Sequence, residues 1–466
     1  NYNGVPSEVI TPLRGIREAV APSTRVLYAR GSELAEGFPM YDLVPASALA
    51  GPDGEAGLHV EYFGSQAMEG APLFTGRDSV LDANWHDRSP REDIDDDDFG
   101  VRWTGTIRPA RSGSYRLGVI STSRFQLFLE DSLVVRSVYN YRDEFGDPRL
   151  RATEAVELEA GRSYRLRVEA QETYADAQVQ LVWAAPQEDL GAEAERAARE
   201  ADAVVMVLGL TPRLEGEEMD VEVPGFRGGD RTSLELPAPQ QALLQRVVAL
   251  GKPTVLVLLN GSALAVNLAD ESVPAILEAW YPGQAAGTAI ADVLFGDYNP
   301  AGRLPVTFYR GVDDLPPFGD YAMAGRTYRF FEGAPLYPFG HGLSYTTFAY
   351  ADLRTSAASL ADGDTAIVRV DVTNTGPRAG DEVVQLYVRY PTGPIERPRQ
   401  ELRGFRRVHI EPGETVTVAM PLAAHELRYW DPDADRWTMQ PGTVELLVGA
   451  SSADIRQRAS ISVNAN

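Results

Sequence analysis

Val204-Val205-Met206-Val207-Leu208 is an unbroken apolar run, closed by Gly209, and its reading decides the fold. A strand with one solvent-facing side alternates apolar and polar residues. A continuous run of this length belongs to a strand covered on both faces, as in a parallel sheet flanked by helices. The sequence on either side agrees. Upstream, Asp189 to Asp202 is Ala-rich and amphipathic, a helix by pattern. Downstream, Pro239 to Leu250 places Leu243, Leu244, Val247 and Val248 on one helical face. Val255 to Leu259 is a second apolar run and Ile276 to Trp280 a third, followed by a helix from Ala285 to Phe295 that Gly296 closes. Strands alternating with helices indicate an α/β layer structure. Far upstream, Thr11 is a natural N-cap, Pro12 a first helical residue, and Leu13, Ile16 and Val20 share a face. Arg25 to Ala29 then reads as a strand. One helix and one strand cannot bury a core alone, so they are expected to join the later α/β segments.

The stretch between has a different texture. Leu58–Phe63, Val101–Ile107, Ser114–Ile120, Phe125–Glu130 and Gln178–Trp183 alternate or carry β-formers between polar turns, as in a β-sandwich or barrel. The last part is again all-β, with Thr365–Val372, Glu382–Tyr390, Thr415–Met420 and Thr443–Val448 as strands. The expected fold class is therefore multidomain. An α/β sandwich with a parallel-rich sheet spans 1–50 and 187–350, an all-β sandwich is inserted at 55–186, and a second β-sandwich spans 352–466.

With 466 residues, there is material for about three domains. The formal net charge of −24 argues against nucleic acid or an anionic membrane surface as the partner. The absence of Cys excludes disulfides, thiolate metal sites and cysteine nucleophiles. No apolar run is long enough to span a bilayer, so no membrane partner is expected. The five His residues form no metal-ligating pair, and neither a metal nor a cofactor is expected. The run Glu92-Asp93-Ile94-Asp95-Asp96-Asp97-Asp98 reads as an acidic surface turn, with Ca²⁺ binding as the alternative. The opening Asn1-Tyr2-Asn3-Gly4, with neither an initiator Met nor a signal peptide, reads as the continuation of something longer.

Several ordered blocks are more specific. They are Leu214-Glu215-Gly216-Glu217-Glu218-Met219, Gly229-Asp230-Arg231, Leu259-Asn260-Gly261-Ser262 and Ala279-Trp280-Tyr281-Pro282-Gly283-Gln284. Leu294 to Pro305 and Tyr337-Pro338-Phe339-Gly340-His341-Gly342-Leu343-Ser344-Tyr345 follow in order. Together they resemble the C-terminal portion of family-three glycoside hydrolases. The insertion, with Glu61-Tyr62-Phe63 and Val101-Arg102-Trp103-Thr104-Gly105, is similar to a protective-antigen-type β-sandwich. The last domain, with Val372-Thr373-Asn374-Thr375-Gly376, resembles a fibronectin type III-like module. The resemblance implies a retaining, exo-acting β-glycosidase, a β-glucosidase or β-xylosidase, acting on β-linked oligosaccharides or aryl glycosides. It also implies a partner: a barrel domain carrying the Asp nucleophile, which no segment here resembles, so it is expected elsewhere in the polypeptide or in a separate chain. A secreted or periplasmic location is expected, and a homo-oligomer is left open. The rival from another class is a non-catalytic carbohydrate-binding or adhesion assembly of sandwich modules.

Retaining glycoside hydrolysis needs a nucleophilic carboxylate and an acid/base carboxyl about 5–5.5 Å apart. The resemblance implies that the acid/base Glu lies on the loop after the Val204–Leu210 strand, where open α/β sheets place ligands. Glu215, Glu217 and Glu218 stand there, and their mutual repulsion would favour a proton on at least one. Glu217 ranks first, because it precedes Asp220 by three residues as in several relatives, and Glu215 second. The alternative is that all three are a solvated acidic loop. Asp230-Arg231 is expected to form an ion pair that holds this loop or supports the acid.

Overall fold

The computed structural model describes residues 6–86, 88–137, 150–173, 177–186, 189–219, 221–390 and 396–464. At its centre lies a parallel sheet of Val204–Gly209, Thr254–Leu259 and Ala275–Glu278, with Thr254–Leu259 in the middle. All three strands run in one direction, so Gly209, Leu259 and Glu278 end at the same edge of the sheet. Met206, Leu208, Leu256 and Leu258 of these strands share a core with Leu243, Leu244 and Val247 of the Ala238–Val248 helix, while Val205 and Val207 face outward and are exposed. Asp189 caps the Leu190–Glu200 helix by accepting the Ala192 amide at 2.9 Å. Gly296 ends the Ala286–Phe295 helix in the left-handed conformation, φ 83°, that glycine adopts without strain.

The N-terminal segment joins this core. Pro12–Ala19 is a helix capped by Thr11, whose hydroxyl accepts the Arg14 amide at 3.2 Å. It lies against the Ala286–Phe295 helix so closely that a Cβ on Gly15 would fall 2.1 Å from the Gly287 carbonyl oxygen. Ala35 and Phe38 enter the α/β core, and the Leu34 carbonyl accepts from the buried Gln240 side chain at 2.7 Å. One expectation fails here. Residues 25–29 form no strand and pair with none among the described residues, and Tyr28 stays exposed. Alternation makes a strand possible; only a free ladder partner makes one form.

The chain leaves the α/β core at Asp42–Leu43, which pairs antiparallel with Val182–Trp183 at the far end of the insertion. Between them, a six-stranded and a seven-stranded sheet face each other across a core built around Trp103, Leu117, Leu127 and Leu181. Trp103 is wholly buried, and its indole N–H donates to Asp78 at 2.7 Å. The acidic run does not gather its carboxylates. Asp93 pairs with Arg91 at 2.8 Å and Ile94 turns into the core. Among the described residues, no group of three or more acidic or His side chains is arranged to hold a metal ion.

Phe348–Thr355 opens the C-terminal β-sandwich, in which a three-stranded and a five-stranded sheet enclose an apolar core. It locks onto the α/β part through a buried ion pair. Arg303 meets Glu382 at 3.2 Å, their side chains 8% and 4% exposed, and the Tyr350 hydroxyl donates to the same carboxylate at 3.1 Å.

Candidate active site

The carboxyl edge of the parallel sheet carries three loops, 210–219, 260–266 and 279–285, and these converge on one side chain, Glu215. Its Oε1 accepts the Gly261 amide at 2.7 Å and the Tyr281 hydroxyl at 2.5 Å. Its Oε2 accepts the Ser262 hydroxyl at 2.5 Å. Each loop therefore supplies one part: the acceptor comes from the first, the amide and hydroxyl from the second, the phenol from the third. Gly261 has to be glycine, since a Cβ there would lie 2.8 Å from the Tyr281 ring and 3.1 Å from Glu215 Oε1. The Tyr281 phenol is pushed well above its usual range, first by burial and then by its bond to Glu215. It remains a hydrogen-bond donor at any pH the fold experiences.

Glu217 and Glu218 occupy a different setting. Both are exposed, two and three residues beyond Glu215, and Glu218 adopts a left-handed φ of 47°. The sequence presents three equivalent acids; the loop turns one inward and leaves two facing outward. Asp220, the second half of the Glu217 spacing, lies outside the described residues.

The Asp230-Arg231 pair also departs from expectation. Asp230 is exposed, and Arg231 turns away from it to donate to Ser262 Oγ at 3.0 Å, the Ala263 carbonyl at 2.6 Å and the Glu235 carbonyl at 3.3 Å. Burial lowers the Arg231 value, and the Glu215 carboxylate works in the opposite direction. The guanidinium therefore lies within the field of Glu215 and props the Ser262 loop. A small antiparallel hairpin carries it there, Glu222–Val223 against Phe226–Arg227 and on to Asp230–Arg231. The hairpin doubles back on the acidic loop, with the Gly216 amide donating to Gly229 at 3.1 Å and the Met219 amide to Gly228 at 2.9 Å. The hairpin thus returns Gly228 and Gly229 to the side of Met219 and Gly216.

Below Tyr281, Trp280 holds a left-handed φ of 54° and packs edge-on against Phe308, ring centres 6.0 Å apart. Phe308 continues to Tyr337, and Tyr337 stacks on His341 at 5.4 Å. His341 is thus held by its stack on Tyr337, and Arg303 is engaged by Glu382. Sequence reasoning missed Ser262 and Tyr281, having used both stretches only as blocks that carry the family resemblance. The signal was present: each directly follows an apolar parallel strand, and such loops meet at one edge.

Comparison with known proteins identifies the family. The family model described as the glycosyl hydrolase family 3 C-terminal domain matches residues 1–345, and a fibronectin type III-like domain matches 382–452. A xylan 1,4-beta-xylosidase of Xylanibacter ruminicola is 37% identical over 97% of this chain and 51% of its own length. A beta-glucosidase of Rhizobium radiobacter is 34% identical over 97% of this chain and 55% of its own. A periplasmic beta-glucosidase of Salmonella typhimurium is 39% identical over 57% of this chain. Among solved structures, the beta-glucosidase of Kluyveromyces marxianus in complex with glucose superposes with a TM-score of 0.71 at 26% identity, covering 98% of this chain and 56% of that one. The chain spans about half the length of the curated relatives it matches. With its parallel sheet, its convergent acidic loop and its appended β-sandwich all in the matched order, the chain belongs to glycosyl hydrolase family 3 and carries that family's C-terminal domain.

Proposed function

We propose that this chain is the acid/base half of an exo-acting retaining β-glycosidase, a β-glucosidase or β-xylosidase, with Glu217 as the proton donor and Glu215 as the anchor of its loop. The observation that carries this division is the occupancy of Glu215. Both its oxygens are taken by three donors from two neighbouring loops, so a proton placed there would displace one of them. Glu217 stands two residues further along the anchored loop, exposed at the sheet edge where a leaving oxygen can approach. A general acid has to present its proton to the glycosidic oxygen and then take one from water in the second step. Glu217 has the setting for that exchange.

In this reading the nucleophile comes from a barrel domain outside these 466 residues, in the same polypeptide or a separate chain. The α/β domain is built from 1–50 and 187–350 around the 55–186 sandwich. That insertion narrows access beyond the first sugar and so favours short β-linked oligosaccharides and aryl glycosides. The protein works in the periplasm or outside the cell; the relative from Salmonella typhimurium is a periplasmic beta-glucosidase. No described helix is long and apolar enough to cross a membrane.

The experiment assays the 466 residues alone on aryl β-glucoside and aryl β-xyloside, then co-expressed with the barrel. The chain alone is expected to be silent and the pair active, because an isolated acid has no nucleophile opposite it. Turnover by the lone chain, with a glycosyl adduct on one of its own carboxylates, would overturn the split mechanism. Sugar binding without turnover by the pair would favour the non-catalytic assembly.

A further inference from the structure

Among the described large apolar side chains, Phe318 at 96% and Tyr321 at 93% are the most exposed. The loop that presents them is nevertheless braced. At its start, Asn267 Nδ2 donates to the Arg310 carbonyl at 2.8 Å, and the Arg310 amide donates to Asp314 at 2.9 Å. At its end, the Thr327 amide donates to the Tyr309 hydroxyl at 2.6 Å, and Tyr309 meets Phe331 edge-on, ring centres 5.1 Å apart. Between these ends Arg326 reaches back across the turn. It donates to the Ala322 carbonyl at 3.1 Å, to the Pro317 carbonyl at 3.2 Å and to the Asp320 carbonyl. The Asp320 amide donates to Pro317 at 2.9 Å, and the Asp320 carboxylate accepts the Ala322 amide at 2.9 Å. The turn is thus fixed by its own polar groups while its two rings stand in solvent. A contact held ready in this way loses little conformational freedom when it is covered.

We propose that Phe318 and Tyr321 are anchors by which the nucleophile-bearing barrel docks over the carboxyl edge of the parallel sheet. The proposal rests on the reading of a barrel outside these 466 residues and names where this chain receives it. Position carries it. Asn267, which ties the start of the loop, opens the Asn267–Ser272 helix directly after the 260–266 loop. Phe308, two residues before Arg310, packs on Trp280 of the 279–285 loop. The aromatic turn therefore springs from the edge that carries Glu215 and Glu217. Retaining hydrolysis sets the nucleophile about 5–5.5 Å from the acid, so the domain that holds it has to close over this edge. The two matched relatives are covered over 51% and 55% of their length, which leaves room in them for such a domain. Two aromatic rings offer roughly 300–500 Å², well short of the roughly 800 Å² per partner of a stable interface. They suit an anchor inside a larger contact, which closure over the three loops provides, better than a dimer interface of their own. The net charge of −24 sets an anionic membrane aside.

The test compares hydroxyl-radical oxidation of Phe318 and Tyr321, read by mass spectrometry, in the 466-residue chain and in the barrel-containing enzyme. Both side chains are expected to oxidise freely in the chain alone. With the barrel present, oxidation of Phe318 is expected to fall to that of Phe308, which is 1% exposed, and that of Tyr321 to fall with it. Phe318→Ala combined with Tyr321→Ala is expected to leave the unfolding midpoint of the 466-residue chain unchanged, as substitutions of exposed side chains usually do. In the barrel-containing enzyme the same pair is expected to slow turnover of good and poor leaving groups alike by roughly 10–100-fold, the cost of a small misplacement of reacting groups. Equal oxidation in the two proteins, or full turnover by the double variant, would overturn the proposal. Protection that grows with the concentration of the chain alone would overturn it in favour of a second copy. Protection of the chain alone by added β-linked oligosaccharide would overturn it in favour of a sugar platform. If the double variant folds poorly, the oxidation of the unaltered proteins decides alone. An active barrel-containing enzyme that leaves both rings open removes the docking and spares the split mechanism. Protected rings without a leaving-group response in Glu217→Gln remove the acid assignment and spare the docking.

Discussion

Glu217→Gln in the barrel-containing enzyme is expected to slow hydrolysis of substrates with poor leaving groups by roughly 10²–10⁴-fold, the usual worth of general acid catalysis. Formation of the glycosyl-enzyme from an activated aryl glycoside is expected to be nearly unaffected, because a good phenolate departs without a proton. The contrast between the two substrates, rather than the loss alone, marks an acid. Glu215→Gln should behave otherwise. It replaces one of the two acceptor oxygens by an NH2 group that cannot accept, so the donors on that side lose their acceptor, the loop loosens, and both substrate types should lose activity together. Leaving-group dependence of kcat/KM for the two variants checks this. If the strong dependence belongs to Glu215→Gln and Glu217→Gln is near wild type, the roles are exchanged.

The second large effect concerns the joint between the α/β part and the C-terminal sandwich. Arg303→Met is expected to destabilise the chain by about 3–5 kcal/mol, the cost typical of breaking a buried ion pair from one side. Glu382 would lose its ion-pair partner and keep the Tyr350 hydroxyl at 3.1 Å, in a site where its side chain is 4% exposed. Replacing both partners, Arg303→Met with Glu382→Leu, should recover much of the loss, since no uncompensated charge then remains buried. Acidification, which neutralises the orphaned carboxyl, should restore part of the stability of the single variant. Denaturant midpoints of the three proteins at two pH values measure all of this. A loss below about 1 kcal/mol for Arg303→Met, the level of an exposed pair, would mean that water reaches the joint.

Much of the fold was legible because burial leaves a mark on composition. Val255–Leu259 is apolar throughout because it lies in the middle of the sheet, whereas Val204–Leu208, its parallel neighbour, buries Met206 and Leu208 and leaves Val205 and Val207 exposed on its other face, so the expectation of a strand covered on both sides fails there. Glu401–Ile410 escaped notice because Arg403, Arg406, Arg407 and His409 interrupt any alternation; the strand lies at the edge of its sheet, where such residues are tolerated. Arg25–Ala29 failed in the opposite way, having the pattern of a strand without a partner. At the site, the sequence put three acids on the loop after the first parallel strand and ranked Glu217 ahead of Glu215 on spacing alone, without the contacts that set them apart. Three Glu within four residues look alike until Gly261, Ser262 and Tyr281, all distant in sequence, select Glu215 as the one held inward. The fate of Asp230-Arg231 was hidden for the same reason, since only the return of the hairpin brings Gly229 against Gly216.

The central claim is that Glu217 is the acid/base, and azide rescue tests it most directly. With Glu217→Ala in the barrel-containing enzyme, the small space left at the acid/base position admits azide, which needs no general base to attack the glycosyl-enzyme. Turnover of an activated aryl β-glycoside is predicted to rise with azide and to yield the β-glycosyl azide, with configuration retained. Absence of rescue and of that product with Glu217→Ala, while Glu215→Ala gives both, would contradict the account.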